Sequence, residues 1–162
     1  CMSRHKIRVA VNGKNYESTV ESRTTLLDFL RTQLTLTGTH VGCEHGVCGA
    51  CSILYDGTPV RSCSLLAVQA NDKQITTVEG LCNADGSPSI LQDAFCEAHA
   101  MQCGYCIPGM LVSAHALLAK NPNPSLAEIR ESIGGNLCRC TGYVQIIEAI
   151  QLAAHRLHES LQ

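Results

Sequence analysis

The chain has 162 residues, enough for one ordinary domain or two small ones. Hydrophobic residues make up 45% and charged residues 16%, which excludes a disordered chain, and a net charge of −2 without a long basic run argues against nucleic-acid binding. No apolar run approaches the roughly 18 residues of a membrane span, and no apolar stretch with a small-residue cleavage site stands at the N-terminus, so a cytoplasmic protein is expected.

Cys1, which precedes Met2, receives no function. Ile7, Val9 and Val11 alternate along 7–11 as on a half-buried strand. Asn12-Gly13 is a two-residue hairpin turn, and residues 14–20 form the returning strand. Thr25 to Leu34 reads as a helix, with Thr25 as its cap, Asp28 in the first turn, and Leu26, Leu27, Leu30 and Leu34 facing the core. A Gly-rich loop runs from Gly42 to Gly49. Residues 51–55 and 60–62 form a second hairpin, turned at Asp56-Gly57, and 74–78 is a last strand, which makes an α+β roll.

The chain changes character near Gly80 to Gly86, where Asn, Asp and Gly cluster. Four helices are expected beyond it. The first covers 89–100 and is opened by Ser87-Pro88-Ser89; the second has Pro108 in its first turn and runs to about Lys120. Asn121-Pro122-Asn123-Pro124 separates it from the third, which starts at the capping box Ser125-Leu126-Ala127-Glu128 and ends at Gly134-Gly135. The fourth runs from Tyr143 to about Leu161, with Ile146, Ile147, Ile150 and Ala154 on one face.

Eleven cysteines are far more than such a chain needs for packing. In a reducing compartment they argue for metal ligation rather than disulfides. Trp is absent and there are two Phe and four Tyr, so the cores are thin and metal clusters could supply the missing cross-links. Cys43, Cys48, Cys51 and Cys63 follow the spacing C-x4-C-x2-C-x11-C. That is the plant-type [2Fe–2S] pattern, in which one loop wraps a compact inorganic unit. Gly42, Gly46 and Gly49 let the backbone turn tightly and bring N–H groups to the sulfurs. Structural zinc usually takes two short Cys pairs, and only one such pair occurs in this set. A Rieske site needs two His ligands; His45 lacks a second, equivalent partner and reads as a loop residue. Thiols gathered in one Gly-rich loop would make a poor core.

Cys103 and Cys106 stand in QCGYC, and Cys138 and Cys140 in GGNLCRC, with 31 residues between Cys106 and Cys138. By chemistry alone this set suits zinc or iron–sulfur. Each pair precedes a predicted helix, so two positive helix ends would face an anionic cluster.

Taken in order, C-x4-C-x2-C-x11-C, QCGYC and GGNLCRCTGY resemble the iron–sulfur subunit of the xanthine-oxidase-type molybdenum hydroxylases, over essentially the whole chain. The resemblance implies a plant-type [2Fe–2S] ferredoxin-like (β-grasp) domain over 1–80 and an all-α four-helix [2Fe–2S]-binding domain over 81–162. It implies that Cys103, Cys106, Cys138 and Cys140 hold a cluster proximal to a molybdopterin cofactor, of the cytosine dinucleotide form. Cys140 would lie close to the pterin, Gln102 would hydrogen-bond it, and Cys43, Cys48, Cys51 and Cys63 would hold a distal cluster facing FAD. Single electrons would then pass from molybdenum through both clusters to FAD. Molybdopterin and FAD would sit on a large and a medium partner subunit, in a dimer of heterotrimers, and the chain would serve as the electron-transfer subunit of an enzyme whose substrate site lies elsewhere. This chain carries no G-x-G-x-x-G and no spare length for either cofactor.

The remaining residues read more plainly. Cys82 and Cys96 are expected as buried small hydrophobes rather than ligands. Tyr105 is expected to pack over the cluster loop, and Arg139 either offsets cluster charge, contacts a partner or cofactor, or is simply solvated. His99, His115, His155 and His158 pair into no site. Two rival functions stand beside the enzyme subunit. A free electron shuttle would gain from a strongly acidic surface, which −2 does not provide. A zinc-stapled interaction module would be colourless where iron–sulfur protein is red-brown.

Overall fold

β1 (Arg4–Val11) and β2 (Lys14–Glu21) form an antiparallel hairpin in which Val11 opposes Lys14, leaving Asn12 and Gly13 as the two-residue turn. Both turn residues take positive φ, 50° and 75°, as the expected turn type requires. The structure is a computed structural model that describes residues 3–160; Cys1 and Leu161 lie outside the described residues.

Five strands make one mixed sheet in the order β2-β1-β5-β3-β4. β3 (Ser52–Tyr55) and β4 (Thr58–Arg61) are antiparallel, and β5 (Lys73–Thr76) runs parallel to β1 and antiparallel to β3. The second hairpin is one residue tighter at its start and longer on its return than expected. Thr58 pairs directly with Tyr55 across Asp56-Gly57, and Pro59 is tolerated because β4 is an edge strand whose free side needs no donor. β5 stops at Thr76, and Val78–Leu81 closes a 3-10 turn in place of the strand's expected end.

The expected helix at 25–34 begins as α1 (Leu26–Asp28), capped by Thr25 Oγ1, which accepts from the Asp28 amide at 3.0 Å. Over Phe29–Gln33 it widens into a π-type turn, and the Leu34 amide reaches the Phe29 carbonyl at 3.2 Å. Phe29, three residues after Leu26 and next to Leu30, lies on the same helical face and enters the core with them, Ile53 and Ile75. Leu34 is left half-buried at its rim.

The second half is four helices: α2 (Ile90–Glu97), α3 (Ile107–Lys120), α4 (Leu126–Ile133) and α5 (Val144–Glu159). Ser89 and Ser125 each cap their helix reciprocally with the side chain three residues on, Gln92 and Glu128. α2 is shorter than expected, because His99 turns left-handed at φ 49° and the Ala100 amide folds back to the Phe95 carbonyl. Phe95, Met110, Ile129, Ile133, Ile146 and Ile150 form the helical core, each almost fully buried. Leu54 of β3 belongs to this same core, so the sheet and the helices share a packed seam, with α3 lying against β3. That seam sets the two cysteine sets side by side.

Candidate metal centres

The first set is built by one stretch of chain. Residues 42–51 have no regular structure, and the main chain turns through left-handed positions at Glu44, Gly46 and Gly49. This curl aims amides inward: the Cys48 N–H donates to Cys43 Sγ at 3.4 Å. Cys51 and Cys63 lie buried at the base, where Leu27 packs against them. Cys63 sits in the 3-10 turn Ser62–Ser64 that follows β4, and the Ser62 amide and hydroxyl both donate to the Cys51 carbonyl.

The electrostatics differ sharply within this set. Main-chain N–H groups of Cys48 and His45 lower the Cys43 thiol to about 6. Burial pushes Cys51 up to about 11, with the neighbouring Cys63 adding to it. Main-chain donors thus favour the thiolate at the outer thiol, and burial opposes it at the inner one. His45 turns its Nδ1 to the Cys43 carbonyl, as a loop residue.

The second set comes from two places in the chain. Cys106 caps α3, with Pro108 in its first turn, and Cys103 lies just before it. Cys138 and Cys140 lie in the turn before α5, which Tyr143 enters with a left-handed φ of 69°. The Tyr143 hydroxyl holds that turn, accepting from the Cys138 amide at 2.8 Å and donating to the Asn136 carbonyl at 3.3 Å. Cys140 Sγ and Cys103 Sγ are 3.5 Å apart. Burial pushes Cys106 up to about 12, and the Cys138 thiol beside it adds to the effect. Cys138 goes the other way. Burial works against its thiolate, but the hydroxyl and amide of Thr141 hold it below the ordinary thiol value. The Cys103 thiol raises Cys140.

The thiols thus meet in pairs: Cys43 with Cys48, Cys51 with Cys63, Cys103 with Cys140, Cys106 with Cys138. Among the described residues no three or more His, Cys, Asp or Glu side chains converge as they would around one metal ion. Two pairs in each set fit a two-iron unit instead, which is wider than a single ion and takes one pair at each iron. Metal binding requires all of these thiols to lose their protons; hydrogen bonds favour this at Cys43 and Cys138, and burial opposes it at Cys51 and Cys106.

The two sets are neighbours. A cavity of about 170 Å³ is lined by Cys48 of the first and by Cys103, Cys106, Cys138 and Cys140 of the second. The Leu137 amide donates to the Cys48 carbonyl at 2.8 Å. Several residues that hold this junction carried no signal in the pattern of cysteines. Asn136 is buried between the loops, and Arg61 bonds Ser52 Oγ at 2.5 Å and the Gly135 carbonyl at 2.6 Å. Tyr105 lines this cavity beside Cys103 and Cys106 and also reaches the segment before Cys43. It stacks on His40 with ring centroids 4.6 Å apart, its hydroxyl bonds the Val41 carbonyl, and its own carbonyl meets His40 Nδ1 at 2.8 Å. Burial is what marks Asn136, and the sequence alone does not show it.

Gln102, Arg139 and Cys140 are exposed, and Arg139 and Cys140 line the cavity between the two sets. Cys82 and Cys96 correct an expectation: both are exposed, not buried. Cys82 lies past the turn Val78–Leu81 and donates its thiol to the Glu79 carbonyl at 3.2 Å, and Cys96 falls on the outer face of α2. Neither approaches the two sets. His155 pairs with Glu159 at 3.4 Å, one turn on along α5.

Residues 9–84 match the family described as "2Fe-2S iron-sulfur cluster binding domain", and residues 77–151 the "[2Fe-2S] binding domain". The chain is 56% identical over 153 residues to caffeine dehydrogenase subunit gamma of Pseudomonas sp. strain CBB1, covering 93% of this chain and 91% of that one. It is 53% identical over 147 residues to the nicotine 6-hydroxylase small subunit of Paenarthrobacter nicotinovorans, covering 91% and 88%. In structure it is similar to quinoline 2-oxidoreductase from Pseudomonas putida 86, at 50% identity and a TM-score of 0.91 over 96% of this chain and 97% of that one. Aldehyde oxidoreductase from Desulfovibrio gigas is similar with a TM-score of 0.90 and 40% identity, but only 17% of that longer chain is covered.

Proposed function

This chain belongs to the family of small iron–sulfur subunits of the xanthine-oxidase-type molybdenum hydroxylases, and from that premise we propose that Cys43, Cys48, Cys51 and Cys63 hold one [2Fe–2S] cluster and Cys103, Cys106, Cys138 and Cys140 the other. The observation that carries this reading is the pairing of eight thiols into two adjacent sets, joined by the Leu137–Cys48 hydrogen bond. When bound, such clusters supply one-electron carriage.

The chain's own residues do three things. Loop amides at Cys43 and the Thr141 hydroxyl and amide at Cys138 stabilise negative charge on sulfur. Burial of Cys51, Cys63 and Cys106 keeps water from the inner side of each set. The shared seam fixes the two sets relative to each other.

In finer detail, the electrons come singly from a molybdopterin site on a large partner subunit, through the second set and then the first, to FAD on a medium subunit. The exposure of Cys140 and Gln102 supports the first contact, since both are open to a docked cofactor. Residues 1–80 and 81–162 act as two units, the distal and the proximal. The assembly is a dimer of heterotrimers with molybdopterin cytosine dinucleotide as its cofactor. A location in the cytoplasm fits a cysteine count that serves metal ligation rather than disulfides. Among the described residues no helix is long and apolar enough to cross a membrane. Relatives named for caffeine, nicotine and quinoline favour an N-heteroaromatic substrate, bound on the partner.

Metal analysis of the natively isolated chain with its copurifying partners tests this. About four irons per chain together with molybdenum are expected. Zinc in place of iron would overturn the ligand assignment, and iron without molybdenum or partner would overturn the complex.

A further inference from the structure

We propose that Asn136 is a positioning residue that sets the spacing and electronic contact of the two clusters, by pinning the loop of Cys48 to the loop of Cys138. The inference rests on the reading of the eight cysteines as cluster ligands. Asn136 is 1% exposed, and its side chain bonds to three other segments of the chain. Nδ2 donates to the Gly49 carbonyl at 3.1 Å and to Ser52 Oγ at 3.3 Å, and Oδ1 accepts from Ser113 Oγ on α3 at 2.9 Å. The amide thus spends both donors and an acceptor while buried, so loss of the Ser52 or Ser113 hydroxyl leaves part of it unpaired.

The contacts on either side show what this pin holds. Gly49, at φ 78°, is packed so closely that a Cβ there would lie 2.5 Å from the Gly135 carbonyl, and a Cβ on Gly109 of α3 would lie 2.2 Å from the Gly49 carbonyl. Backbone meets backbone, with Asn136 between. On the next residues, the Leu137 amide donates to the Cys48 carbonyl. A ligand of the first set is therefore joined, through one hydrogen bond and a short run of covalent bonds, to Cys138 of the second. Electron coupling is carried better along bonded atoms than across a gap, and this short link exists only while Asn136 keeps the loops in register. Arg61 reaches the same seam at the Gly135 carbonyl, but from its exposed edge. Ordinary core packing would not need an amide; an apolar side chain would leave the Ser113 hydroxyl without its partner, remove the side-chain bonds to the Gly49 carbonyl and Ser52 Oγ, and free the loops to separate.

The test is low-temperature electron paramagnetic resonance on the intact complex, reduced with dithionite so that each cluster carries an unpaired electron. The unmodified complex is expected to show the signals of both clusters and a splitting from their mutual magnetic interaction. Absence of both signals there would sink the cluster reading itself, separately from this one. In Asn136→Ala and Ser113→Ala the iron content is expected to stay at the unmodified level while the splitting narrows, more in the first than in the second. If Asn136→Ala loses iron, Ser113→Ala alone decides, and a narrowed splitting at full iron supports the proposal. An unchanged splitting at full iron in Asn136→Ala, or in Ser113→Ala where Asn136→Ala has lost iron, overturns it. Loss of iron from both variants overturns it as well, because the residue would then serve loop folding rather than spacing.

Discussion

The two cysteine sets reach similar thiol chemistry by different construction. The first comes from one continuous curl of chain, residues 43–51, with Cys63 added from the turn under it. Its charge is steadied by the loop's own amides, as at Cys43. The second joins two turns more than thirty positions apart in sequence, and α3 and α5 must pack before its thiols meet. Its charge is steadied by a side chain and amide at Thr141. The difference teaches that a metal site can be specified locally by glycine and spacing, or globally by the packing of helices, and that the two should fail in different ways.

The largest effect is expected from removing a ligand. Cys103→Ser should lose the second set's iron and abolish turnover, while the first cluster's spectrum and the partner chains survive. Iron analysis together with electron paramagnetic resonance reads this, and loss of both clusters would mean that the sets are not independent. Normal turnover with that cluster missing would sink the assigned electron path.

Core truncations sharpen the contrast. Phe29→Ala, in the core of the sheet half that carries the first set, should cost about 3–5 kcal/mol, and Ile146→Ala, in the helical core, about 2–5 kcal/mol. On heating, the first variant should lose the first cluster's visible absorption earliest and the second variant the second cluster's. Simultaneous loss in both would show that the shared seam at Leu54 makes the chain one cooperative unit. The smallest effect is expected at Cys82→Ala. Its exposed thiol makes one weak contact, so iron content should not change and stability should stay within about 0.5 kcal/mol. Loss of iron in this variant would overturn the ligand assignment.

Local signals were read from sequence with most success where a short stretch decides its own geometry. Asn12-Gly13, the Ser125–Glu128 capping box and Pro108 in the first turn of α3 all stand where residue type alone places them. The misses are non-local. The π-type widening over Phe29–Gln33, beyond which Leu34 is left half-buried at the rim of the core, is not anticipated by periodicity at 3.6 residues. Cys82 and Cys96 are exposed because the turn at 78–81 and the outer face of α2 leave them so, although thiols are commonly buried. Tyr105 was expected over the cluster loop and does line the cavity of the two sets; its stacking on His40 is the non-local contact that the spacing did not show.

The sequence by itself determined the chemistry: which thiols stand at cluster spacing, which glycines free the first loop, and which residues start and stop each helix. Those choices depend on neighbours a few positions away, and spacing alone expresses them. Only the tertiary structure decided that the two sets share one cavity, that Cys103 meets Cys140 and Cys106 meets Cys138, and that Asn136 lies between the loops with its amide fully used. The physical reason is that these contacts arise when α3 packs on β3 and carries the turns before α3 and α5 to the Gly-rich loop. That approach depends on the summed burial of residues scattered along both halves, and no short motif encodes it.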